Sequence, residues 1–413
     1  MGHDETGPAG HAHDHHIDVD PHLARALNLV VVGLAVATLV GLVVLWPRGE
    51  IDDGRQQGVQ LSFWNAQVLS VDRTVCQATE LDTPTDCQQA RVELSEGPDA
   101  GRVVGVWLLD TEVRQPRLAA GDRIVVVDNP GVIPEYRYGF AEYQRRAPLG
   151  LLAAVFVVVV VAVGRWRGVR ALAGLVFGVG VLLVFTLPSL LRLNNGLVVA
   201  VVTAALVGSA VLYLAHGVSA TTTVAFLGTM AALVLTALLA LVFVHLANLT
   251  GLVDEADQIL AITAAGVSLP GLVVAGTVIG ALGVLDDVTV TQVSAVGELH
   301  RANPTLGRAE LYRRAMRIGR DHIASTVNTL VLAYAGASLP LLLVFFQGPR
   351  PFGRVLTSEA IATEIVRTLV GSIGLMLAVP VTTGLAAVVV GSAVRATEPS
   401  GPPRWEDFAP EET

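Results

Sequence analysis

Long uncharged apolar runs alternate with short polar segments along most of the chain. Leu29–Trp46 is the first such run. Its length suits one bilayer span. It lacks the small-residue site at which a signal peptide is removed, so it reads as an uncleaved anchor. Residues 48–146 change period. Apolar and polar positions alternate over Val59–Leu69, Ala90–Leu94, Arg102–Leu109 and Arg123–Val127, with turn signals at Glu96-Gly97-Pro98 and Asp128-Asn129-Pro130-Gly131. That pattern predicts a small β-rich barrel or sandwich. From Ala147 the chain is nearly all apolar, with spans predicted near 148–164, 171–191, 196–214, 219–246, 270–294, 322–346 and 364–393. Together with the anchor these make about eight transmembrane helices. A further amphipathic stretch, 254–266, reads as an interfacial or re-entrant helix.

The expected fold is therefore an α-helical polytopic membrane protein with one extracytoplasmic β-rich domain. The segments are a disordered His/Asp-rich cytoplasmic tail (1–27), an anchor (28–47), the β-rich domain (48–146), the helical bundle (147–395) and a disordered cytoplasmic tail (396–413). Orientation follows from Arg in short loops. Arg165, Arg167 and Arg170 follow the second span, and Arg301, Arg308, Arg313, Arg314, Arg317 and Arg320 follow the sixth, so both loops are cytoplasmic in an eight-span plasma-membrane protein. Both termini are then cytoplasmic. Arg145, Arg146, Arg350 and Arg354 pull the other way and are outnumbered.

Composition agrees. Apolar residues make up 52% and charged residues 15%, which excludes a wholly soluble enzyme and a disordered chain. The net charge is −9, without a basic stripe, which argues against nucleic acid. All 27 basic residues are Arg, as in an Arg- and Ala-rich bacterial proteome. The chain has two cysteines, Cys76 and Cys87, both in the polar domain. In an oxidising compartment they predict a disulfide; two free thiols are the alternative. The tail carries His3, His11, His13, His15, His16 and His22. It either holds a metal such as Zn or Ni loosely, chiefly through His11, His13, His15 and His16, or is simply solvated. No phosphate loop, nucleophile elbow or zinc spacing is present, so neither an enzyme nor a cofactor is expected.

The chemistry concentrates in residues 276–320. On a helix, Gly276, Gly280, Gly283, Asp287, Thr291, Ser294 and Glu298 share one face. The glycines admit a neighbouring helix closely. An acidic residue inside a span faces a bundle interior, pairs, or takes up a proton. Asp286 and Asp287 are thus candidate proton or cation carriers, with Asp287 expected to face the bundle. Solvation at the inner headgroups is the alternative. Asp286 stands 17 residues beyond Leu269, about 25 Å along a helix and past the midplane. Asp321, Ser325 and Asn328 share a face on the next span and are the expected partners, as a coupling site or as helix glue.

The stretch GVLDDVTVTQVSAVGELHRANP, followed by GRDHIASTVNTLVLAYAGASLPLLL, resembles the signature region of the YibE/F family of bacterial multi-pass membrane proteins. The matching residues are Asp286, Asp287, Glu298, Asn303, Pro304, Gly319, Arg320, Asp321, Asn328 and Thr329. The resemblance implies the same layout of anchor, outer domain and bundle, and brings no settled activity. The acidic helix, basic loop and Ser/Thr/Asn helix are also similar to the half-unit of RND-type permeases, SecD and SecF among them. That half-unit has fewer spans before its acidic helix. The first functional expectation is a permease-like protein, proton-coupled through Asp286 or Asp287, moving an unidentified solute. The second is a non-transporting envelope scaffold or assembly factor whose outer domain binds a protein partner. The third is a metal handler using the tail. The lipid bilayer is a partner in every case; the sequence leaves an oligomer open.

Overall fold

The computed structural model describes residues 21–49, 61–77, 84–109, 117–264, 266–348 and 351–396. The histidines of the tail before Pro21 and the tail from 397 onwards lie outside them. The chain divides into two compact units, Asp52–Arg165 and the remainder.

The described residues of the smaller unit carry five strands: β1 (Ser62–Gln77), β2 (Pro84–Leu94), β3 (Val103–Leu109), β4 (Arg123–Asp128) and β5 (Tyr138–Tyr143). They close into a barrel in the order β1-β2-β3-β5-β4. Neighbours are antiparallel except β3 and β5, which meet in parallel. This is the arrangement of an OB-fold, a five-stranded Greek-key barrel. The alternation seen in the sequence fills it: Ala90, Val92 and Leu94 point inward, while Arg91 and Glu93 point out. Val68, Val106 and Val126 complete the interior from other strands. Cys87, on β2, is disulfide-bonded.

One end of the barrel is pinned by charge. Arg137 donates to Asp128 through Nε (2.6 Å) and Nη2 (2.9 Å), and its guanidinium lies 5.2 Å from the centre of the Tyr138 ring. Tyr138 in turn donates to Asp99 at 2.8 Å. The hydrogen bonds from Arg137 hold the Asp128 carboxyl below its ordinary range. Those from Tyr138 and then Arg102 do the same for Asp99. Burial, followed by its bond to Asp99, pushes the Tyr138 phenol up to about 12.

The helices are α1 (Pro21–Val44), α2 (Arg146–Val181), α3 (Leu187–Leu191), α4 (Gly196–His216), α5 (Ala220–Leu246), α6 (Glu255–Thr263), α7 (Leu269–Ala302), α8 (Arg308–Ala337), α9 (Leu339–Gln347), α10 (Phe352–Leu356) and α11 (Glu359–Ala396). Among the described residues six helical runs are long and apolar enough to cross a membrane, or seven if α8 and α9, bent by 62°, form one. This differs from the eight read in the sequence. The second and third sequence spans form one 46-residue run, Arg146–Leu191, carried from α2 into α3 by a π turn at Leu182–Thr186. The run is not continuous in backbone geometry: Arg165 has φ 50° and ψ −132°. The amphipathic stretch becomes the nine-residue α6, opened by an Asp254–Asp257 capping box.

In the larger unit α4, α5, α7 and α11 form the core, with α8 packed along α7 and α11. Small buried residues set the spacing, among them Ala200, Ala204, Ala232, Ala240, Ala281 and Ala378. In a membrane, where lipid is as apolar as leucine, such close approach supplies the packing energy. The starts of α4 and α7 meet backbone to backbone, where a Cβ on Gly196 would strike the Gly271 carbonyl.

Candidate functional site

The site lies where α5, α7 and α11 meet. On α5, Thr222, Thr229 and Thr236 recur every seven residues and all are buried, because a seven-residue step returns to nearly the same helix face. On α7, Leu282, Leu285, Val288 and Thr289 face inward, with Asp286 half-buried among them. The Thr229 hydroxyl lies 3.3 Å from Asp286 Oδ1 and donates to it. It also lies 2.7 Å from the Thr289 hydroxyl and 3.1 Å from the Ala225 carbonyl. The Thr289 hydroxyl is 3.1 Å from the Asp286 carbonyl.

From α11, Thr382 is fully buried against α5, close enough that a Cβ on Gly228 would overlap its hydroxyl. That hydroxyl has no hydrogen-bond partner among the described residues. Further along, Gln292 of α7 is buried and donates to the Ala315 carbonyl of α8 at 2.9 Å, fastening the two helices.

The depth of Asp286 can be read from α4. That helix has 21 residues, about 31 Å, close to the hydrocarbon thickness. Gly208, near its middle, packs against Leu282 and Met230. Asp286 is one turn beyond Leu282, about 6 Å from that level, a level that falls inside the length α4 covers.

The sequence-derived candidates divide. Asp286 is inside, but Asp287 is exposed, and so are Gly276, Gly280, Gly283, Thr291, Ser294 and Glu298. The shared face is real and points the opposite way from expectation. Val278, Leu282, Leu285 and Val288 fill the bundle, which leaves the small and polar stripe outside. Glu298 pairs with Arg301 on its own helix at 2.7 Å. Asp321, Ser325 and Asn328 lie on the exposed side of α8, and no hydrogen bond joins them to Asp287 or Thr291. The seam expected between those two sets is not formed. Sequence reasoning missed Thr229, Thr289 and Thr382; the seven-residue spacing of threonine in α5 was the available signal.

At the other end of the bundle, where α4 and α7 begin and α5 ends, a cavity of about 760 Å³ is lined by Asn194, Asn195, His245, Asn248, Thr250 and Ser268 among others. No cluster of three His, Cys, Asp or Glu that would hold a metal occurs among the described residues.

The family model for YibE/F-like protein matches residues 152–392, and the chain belongs to that family. No curated protein and no solved structure matches it. The likeness to RND-type permeases is not among the matches.

Proposed function

We propose that this YibE/F-like membrane protein is a permease, driven by protons that load and leave at Asp286. The observation that carries the reading is the hydrogen bond from Thr229 to Asp286 within the α5–α7 interface. A carboxylate there is costly as a bare charge, and its one side-chain donor among the described residues is a hydroxyl that has two other acceptors in reach.

The hydroxyl hydrogens make the site two-state. When Asp286 is ionised, Thr229 donates to Oδ1 and Thr289 donates to Thr229. When Asp286 carries a proton, it can donate to Thr229. The Thr229 hydrogen then turns to the Ala225 carbonyl or to Thr289, and in the latter case Thr289 turns to the Asp286 carbonyl. Each arrangement satisfies the threonines, so loading and unloading a proton re-aims bonds that hold α5 to α7. That is the kind of local change a permease couples to helix movement. The cavity at the opposite end, where Asn194, Asn195, His245 and Asn248 stand among leucines and valines, offers a mouth for a small solute.

In this reading the protein lies in the plasma membrane, with the barrel outside and both termini inside. The break at Arg165 separates two spans. Forty-six residues would reach about 69 Å at an unbroken helical rise, roughly twice the apolar layer, so the run is enough for two crossings, and dividing it restores eight.

Infrared titration of the purified protein in lipid tests the proton site. A protonated-carboxyl band that follows pH is expected in the wild type and in Asp287→Asn, and lost in Asp286→Asn. A deletion strain rescued equally by wild type and Asp286→Asn would replace this reading with the envelope scaffold acting through its barrel.

A further inference from the structure

The outer face shared by α7 and α8 is polar at a depth where lipid should lie. Asp287 sits at the same level as Asp286, inside the length α4 covers, and is exposed. Its carboxylate has no hydrogen-bond partner among the described residues. On α8, the Ser325 hydroxyl and the Asn328 amide are also exposed and make no side-chain hydrogen bond there. In hydrocarbon each such group costs free energy unless it is covered by a polar partner.

The two helices run side by side. Gln292 reaches the Ala315 carbonyl, Gly319 packs against Gln292, and the Tyr334 hydroxyl lies near Gly280. Counting between these contacts puts Asp287 level with the Ser325 turn, with Asn328 the next turn along. The same stripe is small: a Cβ on Gly276 or Gly283 would meet nothing within 4 Å.

We propose that this face is covered by a second copy of the chain, related by a two-fold axis along the membrane normal. Such an axis keeps every residue at its own depth. It sets α7 of one copy against α8 of the other, so that each contact occurs twice. Asp287, an acceptor, then faces Ser325 and Asn328 of the second copy, which are donors. The glycine stripe lets the backbones come close enough for those bonds to form. The match is self-complementary, which favours a second copy over an unrelated helix. The inference does not depend on transport or on Asp286.

Cross-linking in native membranes tests it. Two tagged copies are co-expressed, one carrying Gly283→Cys and the other Thr329→Cys. Oxidation is expected to give a mixed disulfide between the tags. Val176→Cys, on the exposed side of α2, in place of either is expected to give none. Single-molecule photobleaching in bilayers should show two steps for the wild type. Asn328→Leu should weaken the pair about tenfold, the scale of one or two interhelical hydrogen bonds. One-step bleaching of the wild type would overturn the proposal. So would labelling of Gly283→Cys and Thr329→Cys by a water-soluble maleimide as fast as at Arg313→Cys, because the face would then be an open aqueous groove.

Discussion

Thr229 of α5 and Thr289 of α7 meet hydroxyl to hydroxyl at 2.7 Å, and this contact links the Asp286 carboxylate to the Asp286 backbone carbonyl. Two helices thus share one hydrogen-bond chain, whose direction, in the proposed function, follows the proton on Asp286.

Replacing Thr229 by Val keeps the branched shape and removes the donor. The bundle should still assemble, with a loss of about 1 kcal/mol in unfolding free energy. Thr289→Val should cost a similar amount. The double variant should lose less than the sum, because each single change already breaks the shared bond. Unfolding of the four proteins in one detergent measures the coupling, and strict additivity would show that the two hydroxyls act separately.

Close helix contacts should be intolerant of a single methyl group. Gly228→Ala would push against the Thr382 hydroxyl and Gly374→Ala against that of Thr236. Each should cost about 1–3 kcal/mol, as overpacking does. Gly33→Ala on α1, with nothing within 4 Å, should be neutral or mildly stabilising. Thermal unfolding in detergent ranks the three.

The barrel should be acid-sensitive. Asp128 and Asp99 titrate below their ordinary range when folded. Their contribution is therefore complete above about pH 4, the unfolded value, and is lost as pH falls through the folded values. Tyr138 has the opposite sign. Raised to about 12, it supports the fold below about pH 10 and loses that support as pH rises through the folded value. Asp128→Asn should remove part of the acid limb and cost about 1–3 kcal/mol through the weakened Arg137 bonds. Hydrogen exchange of β4 and β5 peptides in the full-length protein follows both limbs.

Cys87 is disulfide-bonded, and the one other cysteine is Cys76. Non-reduced peptide mapping should recover the two joined. Cys76→Ser should lower the stability of the barrel by about 3 kcal/mol on the chain-entropy account of a short loop. Two alkylatable thiols in protein taken from its native envelope would contradict the bridge.

The proposed orientation predicts that Ala100→Cys and Arg313→Cys react with an impermeant maleimide from opposite sides of the membrane. Same-side labelling would remove the eight-span reading and place the barrel with the Arg-rich loop.

A β-rich domain was legible in the sequence because strand alternation sorts residues between only two faces, and Ala90, Val92 and Leu94 mark the inner one; its closure as a barrel rather than a sandwich came only with the pairing of the strands. The helical bundle was legible as apolar length, and the family signature as the run from Asp286 to Thr329. What the sequence could not decide was rotation. Helix periodicity showed that Gly276, Gly283 and Asp287 share a face, yet that face turned outward, and neighbouring Asp286 went in to meet Thr229. In water, hydrophobicity would have separated the two sides. Inside a bilayer, lipid and protein interior are equally apolar, so a helix gains little from hydrophobicity alone by turning one face or the other inward. Only the fit of Leu282, Leu285 and Val288 against α4, α5 and α11 set the angle, and that fit exists only once the helices are packed.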